Sequence, residues 1–195
     1  MAITDDFNRA SLGSGWQTVL GAAWRIAGNT VAAPVSQVAN TAMRRAEGNF
    51  PDDQYAEAKC QASGASWDAL RGGVAVRMDG AGNCYYFLLG VRSSEVYKRV
   101  AGVVTALRTV SFSVVEGTLY TVRLTVTGDS LAVLINGVSY GTNTDSSLLT
   151  GKPGLYAVTG ISVPSFDDFA CTDAVADGGG GGGGSVPCAG LLGVG

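Results

Sequence analysis

From Gln54 to Cys171 apolar and polar residues alternate with a period of two, which restricts the chain to strands with one buried face. The stretch LYTVRLTVTGDSLAVLINGVSYG shows it most cleanly. Tyr120, Val122, Leu124 and Val126 alternate with Thr121, Arg123 and Thr125. After the turn TGDS the scheme resumes with Leu131, Val133 and Ile135. Asn136-Gly137 is a hairpin signal, because both residues accept the positive φ of a type I′ turn. In GVAVRMDGAGNCYYFLLGV the same scheme places Val74, Val76 and Met78 on one face. The next strand, Cys84 to Val91, is apolar on both parities and so belongs in the middle of a sheet, covered on both sides. No window has helical periodicity with caps, and VSQVANTAMRRA reads as a loop entering a strand. About a dozen strands, punctuated by turn residues, predict an all-β, two-sheet antiparallel sandwich.

Composition removes several kinds of chemistry. The 195-residue chain contains no histidine, which excludes Ser-His-Asp and Cys-His catalysis and the commonest zinc ligands. Charged residues make up 15%, the formal charge is −3, and the basic residues are scattered apart from Arg44-Arg45. That pattern predicts neither a nucleic-acid nor a membrane partner. The TGKP stretch at Lys152 lacks the upstream glycine and the hydroxyl residue of a phosphate-binding loop. Cys60, Cys84, Cys171 and Cys188 are too widely spaced for a metal knuckle. Cys60 and Cys84 read as buried thiols. Cys171 and Cys188 flank the glycine tract, where either a disulfide pinning the tail or two free thiols would fit.

Glycoside hydrolysis needs two carboxylates about 5–9.5 Å apart, which on one strand means an i, i+2 spacing. None of the sixteen acids has that spacing, and Asp53 and Glu57 are four residues apart. The expectation is a protein that is not an enzyme.

The two ends carry a repeated phrase. MAITDDFNRA opens the chain and SFDDFAC closes its patterned part, followed by seven consecutive glycines and an apolar tip. If the first and last strands pair, Phe7, Phe166 and Phe169 pack inward and the acids point outward. Residues 1–174 are therefore read as one domain and 175–195 as a glycine-rich linker with an apolar tail. The opening has no charged n-region followed by an apolar run, so a product made in the cytoplasm without a signal peptide is expected.

The phrases DDFNRASLGSGWQTV, WRIAGNTVAA, YTVRLTVTGDSLAVLINGV, TDSSLLTGKPGLYA and SFDDFAC, in that order, resemble the concanavalin A-like lectin/glucanase superfamily, and in particular LamG-like jelly-roll modules. The resemblance runs from Ile3 to Thr172. It implies a jelly-roll sandwich. The superfamily's glucanase phrase Glu-x-Asp-x-x-Glu is missing. Arg77, Tyr85, Arg92, Tyr97 and Arg99, with Phe87, lie on strands or strand ends that build the ligand-bearing sheet in relatives. Tyr85 and Phe87 also suit a doubly covered core strand, and Trp16, Trp24 and Trp67 read as core anchors. Relatives that carry calcium suggest Asp5, Asp6, Asp167 and Asp168 as its ligands, since Ca²⁺ takes six to eight oxygens. The alternative is four solvated or capping carboxylates.

The opening phrase and glycine-rich terminus also look like minor tail and other virion proteins of tailed bacteriophages. That resemblance implies a non-enzymatic virion component, a minor tail, tail-tip, capsid-decoration or head-fibre protein. Its tail would dock on other virion proteins or sister subunits, and its face would meet host surface polysaccharide. A free-standing glycan-binding lectin is the alternative from another class, and a glucanase-like hydrolase, with acids converging from different strands, is a further one.

Overall fold

The computed structural model describes residues 2–34, 39–61, 71–115, 117–159 and 164–172. The segment 173–195 with Cys188, and Trp67, lie outside the described residues. Fifteen strands and no helix form among those described. In chain order they begin with β1 (Ile3–Asp5), β2 (Trp16–Leu20), β3 (Arg25–Ala27), β4 (Thr30–Ala32), β5 (Ala39–Arg45), β6 (Gln54–Gln61), β7 (Arg71–Met78) and β8 (Cys84–Leu89). They continue with β9 (Ser94–Val100), β10 (Val103–Val110), β11 (Leu119–Thr127), β12 (Ser130–Ile135), β13 (Val138–Thr144), β14 (Lys152–Thr159) and β15 (Ser165–Cys171).

All pairings are antiparallel, and the strands divide into two sheets. One runs β13-β12-β11-β6-β15-β4-β3, with β1 also on β15, and the other runs β10-β9-β8-β7-β14-β5-β2. This is the two-sheet antiparallel sandwich that the alternation predicts, with the jelly-roll fold that the resemblance implies. Tyr120, Val122, Leu124 and Val126 are buried between the sheets, as are Leu131, Val133 and Ile135. Asn136 and Gly137 take φ of 50° and 77°, the backbone of a type I′ turn. Every residue of β8 is buried, as its unbroken apolar run requires.

The repeated terminal phrases do meet. Ile3, Thr4 and Asp5 pair with Cys171, Ala170 and Phe169. Yet β15 is not an edge, because β6 lies along its other side and β4 takes its first residues. Phe166 and Phe169 are both fully buried although three residues apart. Asp168 reconciles them: its φ of 46° makes a bulge against β6, and the bulge resets the parity. The N-terminal phrase is locked by Asp5. Its carboxylate accepts bonds from Arg9 Nη1 at 2.5 Å and Nη2 at 2.7 Å, from Trp16 Nε1 at 2.7 Å, and from the Phe7 amide at 2.9 Å. Trp16 in turn packs edge-on against Phe169, with centroids 4.8 Å apart.

A second bulge corrects the reading of β7. Val74 and Val76 face the inter-sheet core, but Met78 lies on the opposite face of the sheet. Arg77 has a φ of 51°, and Gln54 fixes that kink by accepting from the Arg77 amide at 3.0 Å. Gln54 is buried and satisfied, since its amide nitrogen also donates to the carbonyls of Pro51 and Gly151.

Asp5→Asn is expected to lower stability by about 1–3 kcal/mol, because the Arg9 guanidinium and the Trp16 N–H lose a charged acceptor. Urea denaturation checks it. An unchanged midpoint would show that the terminal strand is held by β15 alone.

Candidate functional site

The outer face of the seven-stranded sheet carries a row of three tyrosines. On strands β9, β8 and β14 alternation turns Tyr97, Tyr86 and Tyr156 away from the inter-sheet core. Strand β7 lies between β8 and β14 but contributes only Gly73 and Ala75 there, opposite Tyr156 and Tyr86. Those small residues leave room for the rings to lie over them. Tyr86 and Tyr156 stack with centroids 3.8 Å apart at 6°, and Tyr86 and Tyr97 at 5.2 Å and 16°. Ala42, Met78, Cys84 and Leu88 wall the row.

The row grades from closed to open. Tyr86 and Tyr156 are buried, and burial pushes both phenols well above their ordinary range. The two hydroxyls are near enough to affect each other's ionisation, but Tyr156 Oη has no partner in hydrogen-bond geometry among the described residues. Tyr97, at the other end, is partly exposed and belongs to a polar network. Its hydroxyl donates to Glu95 Oε2 and accepts from Arg71 Nη1 at 2.7 Å. Arg71 also bonds Glu95 at 2.8 Å and Ser93 Oγ at 2.8 Å. Burial alone would raise the Glu95 carboxyl; the Tyr97 hydroxyl and Arg71 outweigh it and hold Glu95 below the usual carboxylate range.

The five residues expected to meet a ligand separate accordingly. Tyr97 and Arg99 lie on this outer face, with Arg99 Nη1 donating to the Ala81 carbonyl at 3.0 Å. Arg92 is in the exposed turn between β8 and β9. Arg77 and Tyr85 do not belong with them. The bulge turns the Arg77 guanidinium into the sandwich, where it donates to the carbonyls of Asp52 and Leu148, both at 2.9 Å. Tyr85 has the inward parity, is fully buried, and its hydroxyl donates to Asp145 Oδ1 at 2.7 Å. A ligand on the sheet surface cannot touch either. Tyr86, Tyr156, Arg71 and Glu95 complete the face and were not singled out from sequence. The signal present there was the opposite parity of Tyr86 to Tyr85 in CYYFLL.

The aspartates proposed for calcium are partly gathered. Asp5, Asp6 and Asp168 line one cavity beside the paired termini, while Asp167 does not. Their oxygens are largely engaged: Asp5 by Arg9, Trp16 and Phe7, and Asp168 by Lys59 at 2.5 Å. No group of three metal-ligating side chains forms among the described residues. The Arg9 guanidinium holds both oxygens of Asp5, so that carboxylate is already neutralised by a side-chain cation. Cys171 is buried in the core, and its proposed partner Cys188 is outside the described residues. Of the expected core tryptophans, Trp16 and Trp24 are buried as expected, although Trp24 Nε1 has no hydrogen-bond partner among the described residues.

This is the fold of the galectin-like and concanavalin A-like carbohydrate-binding jelly rolls. The carbohydrate-binding module CBM66 of Bacillus subtilis superposes with a TM-score of 0.70 at 16% identity, covering 82% of this chain and 96% of that one. The exoplasmic/lumenal domain of VIP36, in its Ca²⁺/Man3GlcNAc-bound form, gives 0.62 at 11% identity over 84% of this chain and 85% of that one. A xylan β-1,4-xylosidase from Bacillus halodurans gives 0.64 at 13% identity, covering 87% of this chain but 39% of the enzyme. No protein-family profile and no curated protein sequence matches the chain.

Proposed function

We propose that this protein is a non-catalytic glycan-binding module that meets its ligand on the outer face of the seven-stranded sheet. The observation that carries this is the open end of the tyrosine row, where Tyr97 presents a ring beside the prearranged Arg71–Glu95 pair. A sugar ring offers C–H groups to an aromatic wall and hydroxyls to fixed planar polar groups, and this end supplies both. Buried Tyr86, itself stacked on Tyr156, holds the partly exposed Tyr97 ring in place, so little ordering remains to be done on binding. The acids considered for hydrolysis are otherwise committed. Glu57 is paired with Arg123 at 2.8 Å, and Asp53 accepts from the Gly128 amide at 2.7 Å.

The structural neighbours support glycan binding better than the virion role suggested by the opening phrase and glycine tract. A glycan array followed by calorimetry on the best binder tests the reading. Tyr97→Ala is expected to weaken that binding about tenfold or more in a protein that stays folded by circular dichroism, at a cost of about 1–2 kcal/mol for the stacking and hydrogen bonds lost. An array without signal, or Tyr97→Ala binding like the parent, would overturn it.

A further inference from the structure

The cavity beside the paired termini is built from elements at the far edge of the sandwich from Tyr97. Strands β2 and β5 close the seven-stranded sheet at the edge opposite β9 and β10, and β1 and β15 supply the other wall. Its volume is about 720 Å³, within the usual range for a small-molecule site. Its lining combines Asp5, Asp6, Arg9, Trp16, Arg45 and Asp168.

The charges decide which ligand class fits. Asp5 and Arg9 satisfy each other through two short bonds, and Arg9 gives two more of its donors to the Leu12 carbonyl. Asp168 is paired with Lys59. Arg45 is different. Its side chain is 17% exposed and lies over the Trp16 indole at 5.1 Å, and its nearest acid, Asp5, is 3.9 Å away. Its Nε is buried with no hydrogen-bond partner among the described residues. Asp6 is exposed and uses one oxygen to accept from the Asn8 amide at 3.0 Å, leaving the other open. The cavity therefore offers the Arg45 guanidinium, held 3.9 Å off its nearest acid, an acceptor on Asp6 and an apolar flank. An anion would face three carboxylates. A divalent cation would face two guanidiniums, with Asp5 already saturated. A neutral polyhydroxylated molecule meets no such opposition and can both donate and accept.

We infer that this cavity is a second saccharide subsite, taking one neutral sugar unit with Arg45 as donor and Asp6 as acceptor. Its ligand class rests on the glycan-binding reading, but its location and residues do not. Amide and indole N–H chemical shifts of the full chain, followed by NMR, test it. The neutral probes are the methyl glycosides of glucose, galactose, mannose and xylose; sodium glucuronate, sodium sulfate and calcium chloride are the charged ones. At least one neutral glycoside should move the Trp16 indole N–H and the Gly13 and Gly15 amides saturably, with Kd on the order of 1 mM. Arg45→Lys should weaken that response about tenfold, because the planar donor fork is lost while the charge stays. Asp6→Asn, at an exposed position where the turn acceptor is kept, should weaken it several-fold with the spectrum otherwise intact. The inference is overturned if no neutral glycoside moves these resonances, if only a charged probe does, or if both variants respond like the parent. Glycoside shifts confined to the Tyr97 region would sink this subsite and leave the sheet-face reading standing; shifts confined to the cavity would do the reverse.

Discussion

Gly73→Ala is expected to cost more than about 4 kcal/mol and to abolish cooperative folding or soluble expression. A Cβ at this position would sit 1.8 Å from the Phe87 carbonyl oxygen and 2.8 Å from its carbonyl carbon. Both are backbone atoms of the adjacent strand, so no side-chain rotation relieves the clash. Gly73 is paired on both sides, with Leu88 of β8 and Tyr156 of β14, in the middle of the sheet. Relief requires separating strands there. The same separation would pull Tyr86 away from Tyr156 and dismantle the support under Tyr97. Circular dichroism and a urea titration read the outcome. A folded variant within about 1 kcal/mol of the parent would show that the sheet can widen at this point, and that the tyrosine row is not rigidly held.

The second large effect lies at Asp145. This carboxylate accepts from Lys98 Nζ at 2.5 Å, from Tyr85 Oη at 2.7 Å and from the Ser147 amide at 2.9 Å. Tyr85 Oη also accepts from the Leu148 amide at 2.9 Å, so the segment after β13 is fastened to the core strand β8. The Asp145 side chain is 12% exposed. Asp145→Ala takes the carboxylate from a partly buried ammonium and a core phenol, leaving them only the Ser147 hydroxyl and the residue-145 carbonyl, which should cost about 2–4 kcal/mol in urea denaturation. Tyr85→Phe removes one donor and one acceptor but strands no charge, and about 1–2 kcal/mol is expected. Equal costs for the two would mean that the phenol, not the ion pair, anchors the segment.

Asp145 also sets an acid-side dependence. Burial alone would raise its carboxyl; the bonds from Lys98, Ser147 and Tyr85 outweigh burial and hold it far below the ordinary value. Asp5 is lowered too, because the bonds from Arg9, Trp16 and the Phe7 amide outweigh its burial. A depressed folded value means stability is fully present above the unfolded carboxylate range, near pH 4, and is lost as pH falls through and below it. The melting temperature should therefore fall steeply below about pH 4, and Asp145→Ala should flatten that fall. The same slope in the variant would place the acid sensitivity elsewhere.

Most of the strand framework was legible because burial of one sheet face writes itself into the sequence at period two. Tyr120 to Val126, Leu131 to Ile135 and the Asn136-Gly137 turn needed nothing beyond local pattern. The pairing of the terminal phrases was also legible, through their shared Asp-Asp-Phe. The parity of Met78 and of Phe169 relative to Phe166 was not. Each depends on one residue in left-handed backbone, Arg77 or Asp168; arginine gives no sign of it, and aspartate, though enriched there, is too common to mark one bulge. The kink at Arg77 is held by Gln54, twenty-three residues earlier in the chain.

The sites divide along the same line. The aromatic and charged residues of the sheet face, Tyr97 and Arg99 among them, are visible in the sequence as residue types. Arg77 and Tyr85 were misplaced because a guanidinium and a phenol can serve a core through carbonyl and carboxylate partners that only the folded chain brings near. By itself the sequence determined an all-β sandwich, the strands that bury one face or two, and the absence of histidine chemistry. These follow from local periodicity and from composition, which folding cannot alter. Only the tertiary structure decided that Gly73 and Ala75 make space for a tyrosine stack, that Arg9 takes the place of a cation at Asp5, and that Arg45 lines an open cavity 3.9 Å from its nearest acid. Each depends on atoms from strands distant in sequence meeting within a few ångströms, and that proximity is set by sheet order and bulges.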